Sequence, residues 1–187
     1  MKRVFVLIIP LTLTACAENQ SFIGISSYNP SYLPGEHEMY GSIQTFVRGG
    51  PYPGLQPADE TGAVIADMQD GGFPQTHFTT ETVGRSPYRV LMVFSPTPGT
   101  GLQQLCEIDP RTVDALPAAA PSSNGRIGLA AVFCRSGELM GGAEGTLPVA
   151  MAANTNGPAV KGSIQAFMRQ IFPGWNPTSG GAGNDPP

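Results

Sequence analysis

Apolar and polar positions alternate over several short stretches of this chain, and one clear helical period stands near its far end. Met39 to Arg48 sets Ile43, Thr45 and Val47 against Gln44 and Phe46 before Gly49-Gly50-Pro51, the pattern of a half-buried first strand. A short helix is predicted from Asp59, whose carboxylate and that of Glu60 complement the positive end of a helix dipole. Val64, Ile65 and Met68 supply its apolar face, and Gly71 supplies its stop. Thr76 to Val83 is β-prone but polar, which suits an edge strand. Tyr88 to Phe94 is apolar on both faces, which predicts a central strand. Leu102 to Ile108 reads as a short strand carrying Cys106, and Pro110 to Asn124 as a loop.

Arg126 to Cys134 is a second buried strand, and Arg135-Ser136-Gly137 turns it into a hairpin with Glu138 to Leu147. Gly141, Gly142 and Gly145 make that return strand weak and favour a bulge. At a sheet edge such a strand is either poorly packed or open to strand addition by a partner. Pro158 to Phe172 is the better helix, with Val160, Ile164, Phe167 and Ile171 on one face and Lys161, Gln165 and Arg169 opposite. The order predicts an α+β domain over residues 39–172, an antiparallel sheet of about four to five strands with two helices packed on one face. Residues 173–187 are Gly-, Pro- and Asn-rich and read as a disordered tail.

The chain opens differently. Lys2 and Arg3 precede an apolar run from Val4 to Leu13, which contains Pro10 and is too short to span a bilayer, since that takes ~20 residues. Leu13-Thr14-Ala15-Cys16 follows directly and resembles the lipobox of bacterial lipoproteins. The resemblance covers the leader alone. It implies a signal peptide over residues 1–15, diacylglyceryl transfer to the Cys16 thiol, cleavage before Cys16 and acylation of the new amino terminus. In that family an Asp after the cysteine marks inner-membrane retention. Ala17 stands there instead, so the expected address is the periplasmic face of the outer membrane. Residues 16–38 are then a lipidated N-terminus and flexible tether, punctuated by Asn29-Pro30 and Pro34-Gly35, whose Phe22, Tyr28 and Tyr32 are able to dock on the domain or on a partner.

Cysteine usage changes under this reading. Three cysteines are an odd number, and assigning Cys16 to lipid leaves Cys106 and Cys134. In an oxidising compartment these two are expected to pair as a disulfide; two separate buried thiols are the other arrangement open to them. Charge excludes nucleic acid as a partner. Without Lys2 and Arg3 the mature chain holds eight cations, scattered singly, against fourteen anions, whereas phosphate backbones are bound by clustered Lys and Arg.

Chemistry-bearing patterns are sparse. Gly84-Arg85-Ser86-Pro87-Tyr88 begins like a nucleophile elbow but has Tyr at the second glycine position and enters a strand. His37 and His77 are the two histidines, and neither has metal-ligand spacing around it. Asp67 and Asp70 share a helix face and are expected to be solvated. Gly99-Thr100-Gly101 lacks the Lys of a phosphate loop. No catalytic set can be assembled, so the sequence predicts no enzyme, cofactor or metal. It predicts a membrane-anchored, periplasm-facing lipoprotein with a structural or protein-interaction role in the cell envelope. A lipoprotein binding a small glycan or lipid fragment is the alternative.

Overall fold

The computed structural model describes residues 22–28, 41–71, 76–84, 86–109, 112–113, 125–149 and 157–172. Within them the chain forms β1 (Phe22–Tyr28), β2 (Gly41–Arg48), α1 (Pro57–Gln69), β3 (Thr76–Thr79), β4 (Tyr88–Phe94), α2 (Leu102–Glu107), β5 (Arg126–Arg135), β6 (Glu138–Pro148) and α3 (Pro158–Ile171). The strands make one six-stranded sheet in the order β1-β6-β5-β4-β2-β3. The fold class is α+β. The signal peptide at 1–15, Cys16 and the tail at 173–187 lie outside the described residues.

The sheet is mixed rather than antiparallel, which corrects the expectation. β2 runs parallel to both β3 and β4, while β1–β6, β5–β6 and β4–β5 are antiparallel. The cause is α1, because a helix between two strands of one sheet carries the chain back to the end of the sheet where the first strand began and makes them parallel. β3 pairs with the first half of β2, Gly41 to Gln44, and β4 with the second half, Gln44 to Arg48. That stagger lets the connection between β3 and β4 cross β2 without a helix of its own.

Side-chain parity divides the core in two. Val90, Met92 and Phe94 of β4 and Ile127, Leu129, Ala131 and Phe133 of β5 pack with Val64 and Met68 of α1 and with Val160, Ile164, Phe167 and Ile171 of α3. Leu91 and Val93 of β4 and Ala130, Val132 and Cys134 of β5, the alternate positions, pack with Leu102, Leu105 and Cys106 of α2. Covering on both sides explains why β4 and β5 are apolar at successive positions.

Three segments bear on the sequence reading. Leu102–Glu107 is a helix, not a strand: Leu102, Leu105 and Cys106 are buried at i, i+3 and i+4, and the Gln104 side chain accepts the Gly101 N–H at 3.0 Å, which ties down its first turn. Phe22–Tyr28, expected to be tether, is a strand that pairs with β6 from Phe22↔Thr146 to Tyr28↔Gly141. As a result the glycine-rich return strand is not an edge; β1 covers it. The hairpin follows expectation, with Ser136 and Gly137 both at positive φ (51° and 92°), as a two-residue turn between twisted strands requires. A register shift between Phe133 and Cys134 marks a bulge in its ladder.

Glycine in β6 serves packing. A Cβ on Gly141 would collide with the Ile171 carbonyl oxygen and lie 2.9 Å from its carbon, so the end of α3 rests directly on the strand backbone. A Cβ on Gly142, on the opposite face, would lie 3.2 Å from Leu102 and Leu139 and 3.3 Å from Val132. The missing side chains therefore let a helix approach from each side.

Candidate functional site

Two constellations of polar or reactive side chains are built into the domain. The first begins in the loop after β2, where Pro51 and Tyr52 are buried although the segment is rich in Gly and Pro. Tyr52 is 1% exposed. Its backbone N–H donates to Glu60 Oε1 at 3.0 Å, and its hydroxyl donates to Asp67 Oδ2. Both acceptors are on α1, eight and fifteen positions further along, so one tyrosine fastens the loop to the first turn and to the last third of the helix. Lys161 of α3 reaches the outer end of this row, bonding Asp70 at 2.6 Å.

Burial governs the protonation of Tyr52, Glu60 and Asp67. It raises the Asp67 carboxyl above its ordinary range, opposed by the hydrogen bond from Tyr52 and the charge of Lys161. Burial likewise raises Glu60, opposed by the bond from the Tyr52 amide. Tyr52 is raised as well, by burial and then by its bond to Asp67, so the phenol stays neutral and a donor. The folded carboxyls hold their protons more tightly than the unfolded ones do. Stability contributed here is therefore fully present at acid pH and falls as pH rises from the unfolded carboxylate pKa, about 4, through the raised folded values. We expect Asp67→Asn, which keeps an acceptor for Tyr52, to be no less stable than the parent at neutral pH. The parent should gain on the variant as pH is lowered. Urea midpoints of both proteins between neutrality and the carboxylate range check this, and a constant difference would refute it.

The second constellation is the Cys106–Cys134 disulfide, with Cα atoms 5.6 Å apart, which fixes α2 to β5. Both residues are fully buried. Arg89 completes the attachment from β4: its guanidinium donates to the carbonyl oxygens of Cys106 and, at 3.1 Å, of Ile108, where the helix ends with unpaired acceptors. Gln103 adds a bond to the Gly137 carbonyl at 3.1 Å and accepts the Leu139 N–H at 3.1 Å. A six-residue helix is thus held to the sheet by a covalent bond, a cation and an amide.

The structure brings together Cys106 and Cys134, as one of the two cysteine arrangements required. It separates the other candidates. Asp67 is not solvated as expected; it is 6% exposed and faces Tyr52, whereas Asp70 is exposed. His77 is exposed on the edge strand β3, and His37 lies outside the described residues. Ser86 belongs to the turn before β4, where its hydroxyl accepts the Tyr88 N–H at 3.3 Å. Gly99 lies in a turn over Thr97–Thr100, closed by the Thr100 N–H donating to the Thr97 carbonyl at 3.1 Å, and Gly101 caps the start of α2. Among the described residues no group of three or more His, Cys, Asp or Glu is placed to hold a metal ion, and no helix is long and apolar enough to cross a membrane. Sequence reasoning missed Tyr52 and Arg89. A cation inside the apolar run Tyr88–Phe94 was the available signal for the latter.

No protein-family model and no curated protein matches the chain. Among solved structures it is similar to a point variant of the PelC dodecamer from Paraburkholderia phytofirmans, at 9% identity and a TM-score of 0.36, over 82% of this chain and 95% of that one. A second crystal form of the PelC dodecamer from that organism gives 8% identity and the same TM-score over the same shares. At these values the likeness bears on neither ancestry nor activity.

Proposed function

We propose that this protein is a bacterial lipoprotein anchored through Cys16 at the periplasmic face of the outer membrane. Its α+β domain serves a structural or protein-interaction role in the envelope. The observation that carries the reading is Leu13-Thr14-Ala15-Cys16 placed behind Lys2, Arg3 and a ten-residue apolar run. The disulfide supports it in two ways. Cys106–Cys134 is the kind of bond that persists in oxidising compartments and is rare in the cytosol. It also accounts for two of the three cysteines, which leaves Cys16 for the modification the motif implies. Two or three acyl chains make such an anchor stable, because each buried methylene contributes ~0.8 kcal/mol and one chain alone is marginal.

The domain suits a scaffold. Helices α1 and α3 share one core with the sheet and α2 shares the other, so the apolar surface of the central strands is spent internally. We expect Cys16→Ser to abolish labelling by a radioactive fatty acid and to leave the leader at residues 1–15 uncleaved, because cleavage follows lipid transfer to the thiol. Retained label on the Ser variant would end the proposal.

A further inference from the structure

Docking of β1 changes what a lipid on Cys16 would do. A free segment from Ala17 to Glu38 could place the domain as far as ~75 Å from its anchor at full extension. Phe22 is instead already paired with Thr146, so only residues 17–21 separate the anchor from the sheet, a reach of at most about 20 Å. The register shows which end of the sheet this is. Arg126 pairs with Pro148 and Phe22 with Thr146, so the starts of β1 and β5 and the finish of β6 share one end. β4 is antiparallel to β5, and β2 is parallel to β4, so β2 also finishes there. The loop Gly49 to Gln56 leaves the sheet at that end, carries no charged side chain and exposes Pro53, Gly54 and Gln56. The β5–β6 turn at Ser136 and Gly137 lies at the other end, roughly 30 Å away along β5 at about 3.3 Å per residue.

We propose that the end of the sheet formed by the start of β1 and the Gly49–Gln56 loop rests against the lipid headgroup surface, with the Ser136–Gly137 turn directed away from the membrane. This rests on Cys16 being the anchor. The loop tip can approach the headgroup plane without stripping water from an ion, and the cations beside it at this end, Arg48 and Arg126, are half-buried and suit anionic headgroups.

The test is arranged so that it does not depend on lipidation by the cell. With Cys106 and Cys134 joined, Cys16 is the free thiol of a chain that starts at residue 16, and it can be coupled to a maleimide lipid in phosphatidylethanolamine–phosphatidylglycerol vesicles. A fluorescent amino acid replaces Gln56 in one protein and Ser136 in another, both exposed positions, and a headgroup-nitroxide lipid serves as quencher. Quenching several-fold stronger at position 56 than at 136 is the expected result. Equal quenching, or stronger quenching at 136, overturns the orientation. Failure of the anchor itself is read separately, from the fatty-acid labelling of the parent and of Cys16→Ser in cells.

Discussion

Replacing Gly141 with alanine is expected to cost the domain about 3 kcal/mol or more, the upper part of the range for forcing extra atoms into a packed core. The new Cβ would collide with the Ile171 carbonyl oxygen and sit 2.9 Å from its carbon and 3.3 Å from its Cα. These are backbone atoms, so no rotamer change relieves the contact. The end of α3 must lift, and with it Ile171 and Phe172, which are buried; the Phe172 ring is tilted against that of Phe133 with centroids 4.5 Å apart. A domain of this size has about 5–15 kcal/mol in hand, so a large share would be lost. Gly62→Ala is the matched control. Gly62 lies within α1, is exposed, and a Cβ there meets nothing within 4 Å. That change should raise stability by up to ~1 kcal/mol through helix propensity. Urea denaturation of both variants decides the matter: the same substitution must shift the midpoint in opposite directions, and a Gly141→Ala protein as stable as the parent would show that α3 does not rest on β6.

Removing the disulfide by Cys106→Ala with Cys134→Ala is expected to cost roughly 3–4 kcal/mol on the chain-entropy model, for a bond with a sequence separation of 28. The effect should also be uneven across the structure. A helix as short as α2 has no stability alone, since isolated helices below ~12–15 residues are marginal. Losing the sulfur bridge therefore leaves α2 held by Arg89, Gln103 and the packing of Leu102 and Leu105. Amide hydrogen exchange should speed up most at residues 102–108, while β5, paired on both edges, changes only by the global loss. Uniform acceleration throughout the domain would show that the bond acts on the unfolded chain alone.

The parts of the fold that were legible in the sequence are those where a periodic pattern is long and one interpretation fits it. β4, β5 and α3 belong here, as does the β5–β6 turn, because Ser136-Gly137 occupies the two positions that need positive φ. α2 was misread because a stretch this short fits both periods, and only the burial of Leu102, Leu105 and Cys106 on one side separates them. Strand direction was missed for another reason. Alternation reports which face a residue takes and is silent about parallel or antiparallel pairing; the strand–helix–strand order from β2 to β3 held the information. β1 was read as tether because its pairing is a matter of backbone hydrogen bonds to a glycine-rich neighbour, which leaves little trace in side-chain pattern. Within the candidate site, the cysteine pair could be anticipated by counting. Tyr52 could not, since a loop of Gly and Pro gives no hint that one of its residues is buried against a carboxylate fifteen positions later.

The pairing of β1 with β6 has a consequence in time. Tyr28 is opposite Gly141, and at ~5–20 residues per second a ribosome completes that partner roughly 6–23 s after the strand itself is made. The β5–β6 hairpin closes within microseconds once both strands exist. For the whole interval before that, the first strand to emerge has nowhere to go. Its docking on β6 is among the distant closures of the chain, and any pause in synthesis beyond β5 prolongs the period in which an unpaired strand is offered to neighbours.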